Sequence, residues 1–157
     1  MIELLILGIG SLAYYLSTKQ NKTVDNILSS VTNSNVNVSD DKLNGLSPKM
    51  RQITVDIIAD AKKEGVNLVI AEGYRTQATQ DKYYAQGRTT KGGIITYAKV
   101  SKHTKGNAVD FDYIDASGKQ KILTAKQWNV LGRLAKKHGA IWGGNWSKLK
   151  DYRHIEI

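Results

Sequence analysis

The first 45 residues divide into two stretches that cannot join one globular core, and this limits the folded part of the chain to residues 46–157. Residues 4–16 (LLILGIGSLAYYL) are continuously apolar, whereas residues 17–45 are rich in Ser, Asn, Thr and Asp and lack aromatic residues. A polar stretch of this kind buries little apolar surface and is typical of a tether. We therefore predict an apolar helix over 1–18, a polar linker over 19–45 and one folded domain over 46–157.

The apolar segment is compatible with three interpretations. It is shorter than the roughly 20 residues that a relaxed membrane span needs, and it lacks the basic start and small-residue cleavage site of a standard signal peptide. It is therefore a short membrane anchor, an uncleaved export signal, or an apolar helix buried against a partner. An exposed apolar run is unusual in a soluble enzyme, which favours the first two. Lys19 and Lys22 after the segment weakly favour a cytoplasmic C-terminal domain.

The positive charge of the chain belongs to its C-terminal part. The net charge is +9, and residues 46–157 hold 20 basic and 10 acidic residues, a net of +10. Such a domain is attracted to polyanions. The basic residues are scattered, without an Arg-rich stripe or a known nucleic-acid motif, so no specific nucleic acid is predicted as a partner. A simple solubilising surface is the alternative explanation.

Hydrophobic periodicity predicts both helices and strands within residues 46–157. Ser47 and Pro48 are typical of a helix start, and apolar residues at helical spacing continue from there until Gly65. The β-branched run 66–72 predicts a buried strand. We further predict a Gln-rich helix over 77–86, a long loop over 87–101, a strand over 108–114, a helix over 124–138, and short strands over 140–142 and 152–157.

The chain has no cysteine and only three histidines, so a metal site here must combine His with Asp or Glu. A zinc hydrolase needs three such ligands, an open position for water and a nearby general base. His103 precedes a turn at Gly106, Asp110 begins the next strand, and His154 lies on the C-terminal strand, so the three could converge. His138, at a helix end that favours a cation, is interpreted as structural or exposed. Spacing alone leaves the metal site a hypothesis.

Four motifs in a fixed order strengthen this hypothesis. They are GYRT at 73–76 with Gln80, SKHTKGNAVD at 101–110, WGGNW at 142–146 and DYRHIE at 151–156. Together they resemble the LAS-type zinc metallopeptidases of family M15, which include the L-alanyl-D-glutamate endopeptidases of phage endolysins and D-Ala-D-Ala carboxypeptidases. The resemblance covers about residues 66–157. It implies an α+β fold, a small antiparallel β-sheet flanked by helices of the LAS/hedgehog-like type, here preceded by the apolar helix and polar tether.

The resemblance also implies roles for individual residues. One Zn²⁺ ion would be held by His103, Asp110 and His154. Asp151 would be the general base that takes a proton from water and passes it to the leaving amine. Arg75 would stabilise the oxyanion or hold the substrate carbonyl. Four further residues are candidates for contact with the substrate: Ser101, Gln80, Tyr74 and Trp142. For Ser101 and Gln80 the alternative is local hydrogen bonding, and for Trp142 it is packing in the core.

The implied activity is hydrolysis of the stem peptide of bacterial peptidoglycan, expected at the L-Ala–D-Glu bond. The alternatives are a D-Ala-D-Ala carboxypeptidase of the same fold and a non-catalytic peptidoglycan-binding module. The presence of both Asp151 and Arg75 favours an enzyme. Expected partners are the stem peptide, anionic wall polymers attracted by charge, and a membrane through residues 1–18. We expect a protein that is membrane-anchored or exported to the periplasm or cell wall, in a bacterial envelope or a phage virion.

Three positions leave the interpretation of the motifs open. Asn145 stands where the tryptophan box of the family often has Asp, which removes a charge that could have acted on the metal ligands. Asp112 shares a strand face with Asp110 and is interpreted as a solvated residue. The sequence does not decide whether Glu156 faces the metal.

Overall fold

The computed structural model describes residues 40–157, so the segment predicted over 1–18 and most of the linker lie outside the described residues. Within residues 40–157 no helix is both long and apolar enough to cross a membrane. The α-helices of this part of the chain are α1 (Asp40–Leu43), α2 (Pro48–Lys63), α3 (Gln77–Ala85) and α4 (Ala125–Lys137). Its strands are β1 (Leu68–Glu72), β2 (Ala108–Ile114), β3 (Gln120–Lys121), β4 (Ile141–Trp142) and β5 (His154–Glu156). Short 3₁₀ helices span Lys102–Lys105 and Gly143–Asn145.

The two long helices begin at side-chain caps that the sequence already indicates. The Ser47 hydroxyl accepts a hydrogen bond from the backbone N–H of Met50, and Pro48 occupies the first turn of α2. Thr124 and Gln127 form a capping box at the start of α4, each side chain bonding the other's backbone N–H. The predicted starts of both helices are therefore confirmed.

The strands form one antiparallel sheet in the order β1-β2-β5-β4, with β3 paired to the end of β2. Helices α2 and α4 pack on each other and on this sheet. Their apolar residues share one core with Phe111 of β2 and Ile155 of β5, both fully buried. The prediction of a small antiparallel sheet flanked by helices is confirmed for the described residues.

The pairing register of the sheet places three acidic or imidazole side chains in one row. Asp110 of β2 lies directly opposite Glu72 of β1 on one side and His154 of β5 on the other. Directly opposed residues in antiparallel strands project from the same face. Because side chains alternate along a strand, Val109 and Phe111 point to the opposite face and are fully buried. The row therefore lies on the face that the core leaves open.

Helix α1 lies inside the range 19–45 that the sequence predicts as linker. Leu43 at its end is fully buried and belongs to the core. The core of the domain therefore includes Leu43, which lies before the predicted start at 46. The sequence signal fails here because Leu43 is a single apolar residue among polar ones, too few for a periodic pattern.

The segment 42–47 also explains two glycines of the motifs. A Cβ atom at Gly73 would lie 2.5 Å from the backbone oxygen of Lys42, and one at Gly106 would lie 2.2 Å from that of Gly45. Gly106 also has a positive φ of 66°, which favours glycine. The backbone N–H of Ser47 donates to the carbonyl of Gly106 at 2.9 Å. Residues 42–47 thus support the loops that carry the candidate site.

Candidate metal centre and active-site cleft

Three side-chain atoms converge at the end of the central strands. His154 Nδ1 lies 2.8 Å from Asp110 Oδ1, His103 Nε2 lies 3.4 Å from the same oxygen, and the two nitrogens are 3.3 Å apart. His103 is 2% exposed and His154 6%. Among residues 40–157, these three form the group of His, Asp and Glu side chains with the spacing of a metal site.

The arrangement fits a tetrahedral zinc site. Zn²⁺ binds His nitrogen and carboxylate oxygen at about 2.0–2.2 Å, which places neighbouring ligand atoms of a tetrahedron about 3.3 Å apart. Two of the three separations match this value, and the third is shorter because Asp110 and His154 hydrogen-bond each other directly. Two imidazoles and a carboxylate are also the ligand types of catalytic zinc sites with an open fourth position.

Hydrogen bonds outside the cluster orient both imidazole rings. His103 Nδ1 donates to the carbonyl of Gly73 at 2.7 Å, which turns Nε2 towards Asp110 and His154. Glu156 Oε2 lies 3.3 Å from His154 Nε2, so Glu156 faces the cluster and holds the other side of that ring. The rings are thus oriented before any ligand arrives.

The carboxylate of the cluster is held in its ionised form. Burial by itself raises the pKa of Asp110, but hydrogen bonds from His103 and His154 outweigh it and hold the pKa well below its usual range. Burial likewise lowers the pKa of His154, whereas its hydrogen bond to Asp110 raises it, with a net rise. The buried carboxylate therefore provides a fixed negative charge among neutral or cationic donors.

Asp151 approaches this cluster through the glycine of the tryptophan box. The backbone N–H of Asp151 donates to the carbonyl of Gly143 at 3.1 Å. A Cβ atom at Gly143 would lie 2.5 Å from the Asp151 backbone oxygen and 3.2 Å from Cβ of both Asp151 and His154. Asp151 Oδ1 accepts from the backbone N–H of Arg153 at 3.2 Å, which fixes the carboxylate's orientation. The absence of a side chain at position 143 lets Asp151 and His154 come together.

Arg75 lines the same cleft and is held by its neighbours. Its Nε is 3.3 Å from Glu72 Oε1, and its guanidinium carbon lies 5.1 Å from the centre of the Tyr83 ring. Its backbone N–H donates to the carbonyl of His103. With a side chain that is 10% exposed, Arg75 is a cation of fixed position.

A cleft in two compartments passes over these residues. The metal compartment, of about 590 Å³, is lined by the three cluster residues, Arg75, Asp151 and the loop 95–101. The lysine compartment, of about 460 Å³, is lined by Lys42, Ala71, Glu72, Tyr83, Asp110, Asp151 and Arg153. Glu72, Tyr83, Asp110 and Asp151 belong to both. Asp151 therefore lies where the two compartments join.

The outer wall of the metal compartment is a loop held by helix α3. Three glutamines of α3 or its end donate side-chain N–H groups to loop carbonyls: Gln77 to Lys99, Gln80 to Ala98 and Gln86 to Gly93. Their distances are 3.1, 2.6 and 3.2 Å. Apolar side chains line the wall, among them Ile95, Tyr97 and Val100, which are half exposed or more. The Gln-rich composition of α3 thus serves to anchor the loop.

The four residues predicted to contact substrate are placed differently from one another. Ser101 lines the cleft, but its hydroxyl accepts the backbone N–H of His103 and caps the 3₁₀ helix that carries this ligand. Gln80 is fully buried and anchors the loop. Tyr74 is 43% exposed and its ring packs over Gly45. For Ser101 and Gln80 the structure favours the alternative of local hydrogen bonding.

Trp142 requires a correction, because it is a core residue. It is 7% exposed, its ring lies against Gly132 and Gly144, and its indole N–H donates to the Tyr152 carbonyl at 2.8 Å. The packing alternative therefore describes Trp142. Trp146, the second aromatic of the box, lines the cleft instead, with its ring centre 5.0 Å from that of His154.

Other polar residues pair away from the cluster. Asp112 is bound by Arg153 Nη2 at 2.6 Å and is not simply a solvated residue. His138 is structural, since Nε2 lies 3.0 Å from Asp60 Oδ2 between α2 and α4. Glu72 and Lys42 line the cleft without having been predicted there, and only the strand register and helix α1 reveal them.

Comparison with known proteins agrees with this geometry. A family model of M15 peptidases, described as D-alanyl-D-alanine carboxypeptidase, matches residues 96–157. The chain is 36% identical over 124 residues to the peptidoglycan L-alanyl-D-glutamate endopeptidase CwlK of Bacillus subtilis, covering 71% of this chain and 73% of that protein. The chain belongs to the M15 peptidase family. The family predicted from the four motifs is confirmed.

Solved structures show the same fold as this M15 peptidase. The L-Ala D-Glu endopeptidase ChiX of Serratia marcescens has a TM-score of 0.60 and 23% identity, covering 78% of this chain and 87% of ChiX. The D,D-pentapeptidase VanY of a VanB-type vancomycin-resistance cassette, a variant solved with Zn(II), has a TM-score of 0.52 and 16% identity over 71% of this chain and 72% of VanY. Both agree with the antiparallel sheet and helices described above.

Proposed function

We propose that this M15 peptidase is a zinc-dependent endopeptidase that hydrolyses the L-Ala–D-Glu bond of the peptidoglycan stem peptide. The similarity to CwlK, which extends over most of both chains, is the observation that supports this bond most directly. The open cleft supports it independently, because an endopeptidase must hold substrate on both sides of the scissile bond.

His103, Asp110 and His154 would hold one Zn²⁺ ion through Nε2, Oδ1 and Nδ1. A bound zinc ion supplies Lewis-acid activation of water and of the peptide carbonyl at neutral pH. The contacts of His103 with Gly73 and of His154 with Glu156 keep both imidazole donor atoms in place.

Asp151 would be the general base. Its Oδ1 is fixed by the backbone N–H of Arg153, which leaves Oδ2 to accept a proton from the attacking water. From the junction of the two compartments the same oxygen can deliver that proton to the leaving amine. Proton transfer by one positioned carboxylate is typically worth about 10²- to 10⁴-fold in rate.

Arg75 would bind the carbonyl oxygen as it becomes negative. Its Nε faces Glu72, its guanidinium carbon lies near the Tyr83 ring, and the residue lines the metal compartment. A cation whose position is set in advance stabilises developing charge without further reorganisation.

The second candidate is a D-Ala-D-Ala carboxypeptidase, favoured by the description of the family model that matches residues 96–157. Such an enzyme needs little space beyond the terminal residue. The lysine compartment, of about 460 Å³ and also lined by Asp151, offers further space for substrate. This observation favours the endopeptidase.

Peptidoglycan lies outside the cytoplasmic membrane, so the proposed substrate requires an enzyme of the cell envelope. We infer that residues 1–18 anchor or export the chain and that residues 19–39 tether it. A role in a phage virion remains a prediction from the sequence.

Mass spectrometry of the muropeptides released from purified peptidoglycan tests the proposed bond. We expect fragments with a new amino-terminal D-Glu, formed by the full-length zinc-loaded enzyme and abolished by excess EDTA. Release of terminal D-Ala alone would establish the carboxypeptidase instead. Full activity in EDTA would contradict the metal mechanism.

A further inference from the structure

The structure assigns a carboxylate-binding subsite to the lysine compartment. Lys42 would bind the free carboxylate of the glutamate residue on the carboxyl side of the scissile bond, in a compartment that Arg153 also lines. This inference rests on the proposed function, and it assigns to Lys42 the enzyme's preference for a glutamate residue with a free carboxylate.

The position of Lys42 is fixed by the fold although its side chain is exposed. Its Nζ donates to the carbonyl of Ala71 on β1 at 3.0 Å, and its backbone oxygen packs against Gly73. Leu43, the next residue, is fully buried in the core. The ammonium group is therefore held at the wall of the lysine compartment.

The charges around the compartment leave Lys42 available for an anion. Glu72 already faces Arg75 at 3.3 Å, and Arg153 already binds Asp112. The hydrogen bond of Lys42 goes to a neutral carbonyl, and within the described part of the chain no carboxylate forms an ion pair with it. An ammonium group has three donors, so two remain for a ligand.

The proposed substrate carries the matching group. Glutamate has two carboxyl groups, of which one forms the onward peptide link and the other stays free. Its amine is the leaving group that receives a proton from Asp151. Since Asp151 lines both compartments, the glutamate carboxylate, a few bonds from that amine, reaches the compartment of Lys42. A substrate with a neutral residue in place of this glutamate would leave the Lys42 ammonium without an ionic partner.

The test compares two soluble stem peptides that differ only in this group, one with the free carboxylate and one with its amide. We expect the full-length enzyme to cleave the acid with a kcat/KM about 10-fold higher than the amide, the size of one charge-assisted hydrogen bond. Lys42→Gln should bring the ratio of the two kcat/KM values close to one, because only cleavage of the acid peptide becomes slower. Lys42→Arg should keep the preference. Lys49→Gln, which removes an exposed lysine outside both compartments, should leave the ratio unchanged.

An equal loss of activity towards both peptides in Lys42→Gln would overturn the proposed subsite. A merely structural role of Lys42 would affect both peptides alike, whatever their charge. If the wild-type enzyme cleaves neither peptide at L-Ala–D-Glu, the proposed function fails instead. The subsite is then decided by equilibrium binding of the two peptides to the zinc-loaded protein. Tighter binding of the acid that depends on Lys42 supports it, and equal affinities overturn it.

Discussion

Individual atoms in the cleft have separable tasks, and Asp151 is the side chain whose task is easiest to isolate. We expect Asp151→Asn to keep one zinc ion per chain but to lower kcat/KM by about 10²- to 10⁴-fold, because the amide cannot accept the proton. Metal analysis and peptide hydrolysis measured on the same sample check this. Loss of zinc together with activity would show that Asp151 is a ligand and that the assigned role is wrong.

Gly143 matters through the side chain that it lacks. We expect Gly143→Ala to weaken zinc binding and reduce hydrolysis strongly, because the added Cβ would push Asp151 and His154 apart. Chelator competition and kinetics on soluble peptide measure both effects. The control is Gly93→Ala, since a Cβ there meets nothing within 4 Å. Normal zinc affinity in Gly143→Ala would refute this explanation of the tryptophan box.

Helix α1 is short, but its burial makes it part of the domain. We expect Leu43→Ala to lower the free energy of unfolding by about 2–4 kcal/mol, the range for emptying a packed core position. A chain beginning at residue 46 should be destabilised at least as much, whereas one beginning at residue 40 should not. Urea unfolding gives the values. Leu149→Ala, at a 55% exposed position, is the control and should cost less than about 0.5 kcal/mol.

Helices α2 and α4 are joined at their ends by ion pairs of Asp60. Hydrogen bonds from Lys137, Lys63 and His138 hold the pKa of Asp60 well below its usual range. A lowered folded-state pKa stabilises the fold above the unfolded pKa of about 3.9 and loses that effect as pH falls below it. Asp60→Asn should therefore be less stable than wild type by about 1 kcal/mol at pH 7, and this difference should shrink progressively as the pH falls from about 4 to about 2. A difference that does not depend on pH would contradict this.

The predictable elements are those with a local signal. Ser47 and Thr124 mark helix starts, and the β-branched run at 66–72 marks β1. Those site residues that lie within the four sequence motifs are also predictable. Glu72 escapes prediction because its position opposite Asp110 depends on a register shift between Ile70 and Glu72. Such long-range pairing, like the packing of Leu43, leaves no trace in the neighbouring sequence.

The strong positive charge of residues 46–157 acts through the whole molecule. We expect cleavage of intact cell walls, which carry anionic polymers, to fall several-fold between about 0.05 and 0.5 M NaCl as screening shortens the reach of the charges. Cleavage of a small soluble peptide should change much less, because binding in the cleft is short-range. Assays of both substrates in one salt series check this. An equal fall for both would place the salt effect in the active site.

The anchoring of the cleft wall by α3 affects how such an enzyme can diversify. The glutamines donate to the backbone carbonyls of residues 93, 98 and 99, and every amino acid has this carbonyl. Substitutions at Ile95, Tyr97 or Val100 can therefore change the chemistry of the cleft wall while the backbone of the loop keeps its path. The side chains of this loop can therefore change during evolution while the hydrogen bonds that hold its backbone are kept.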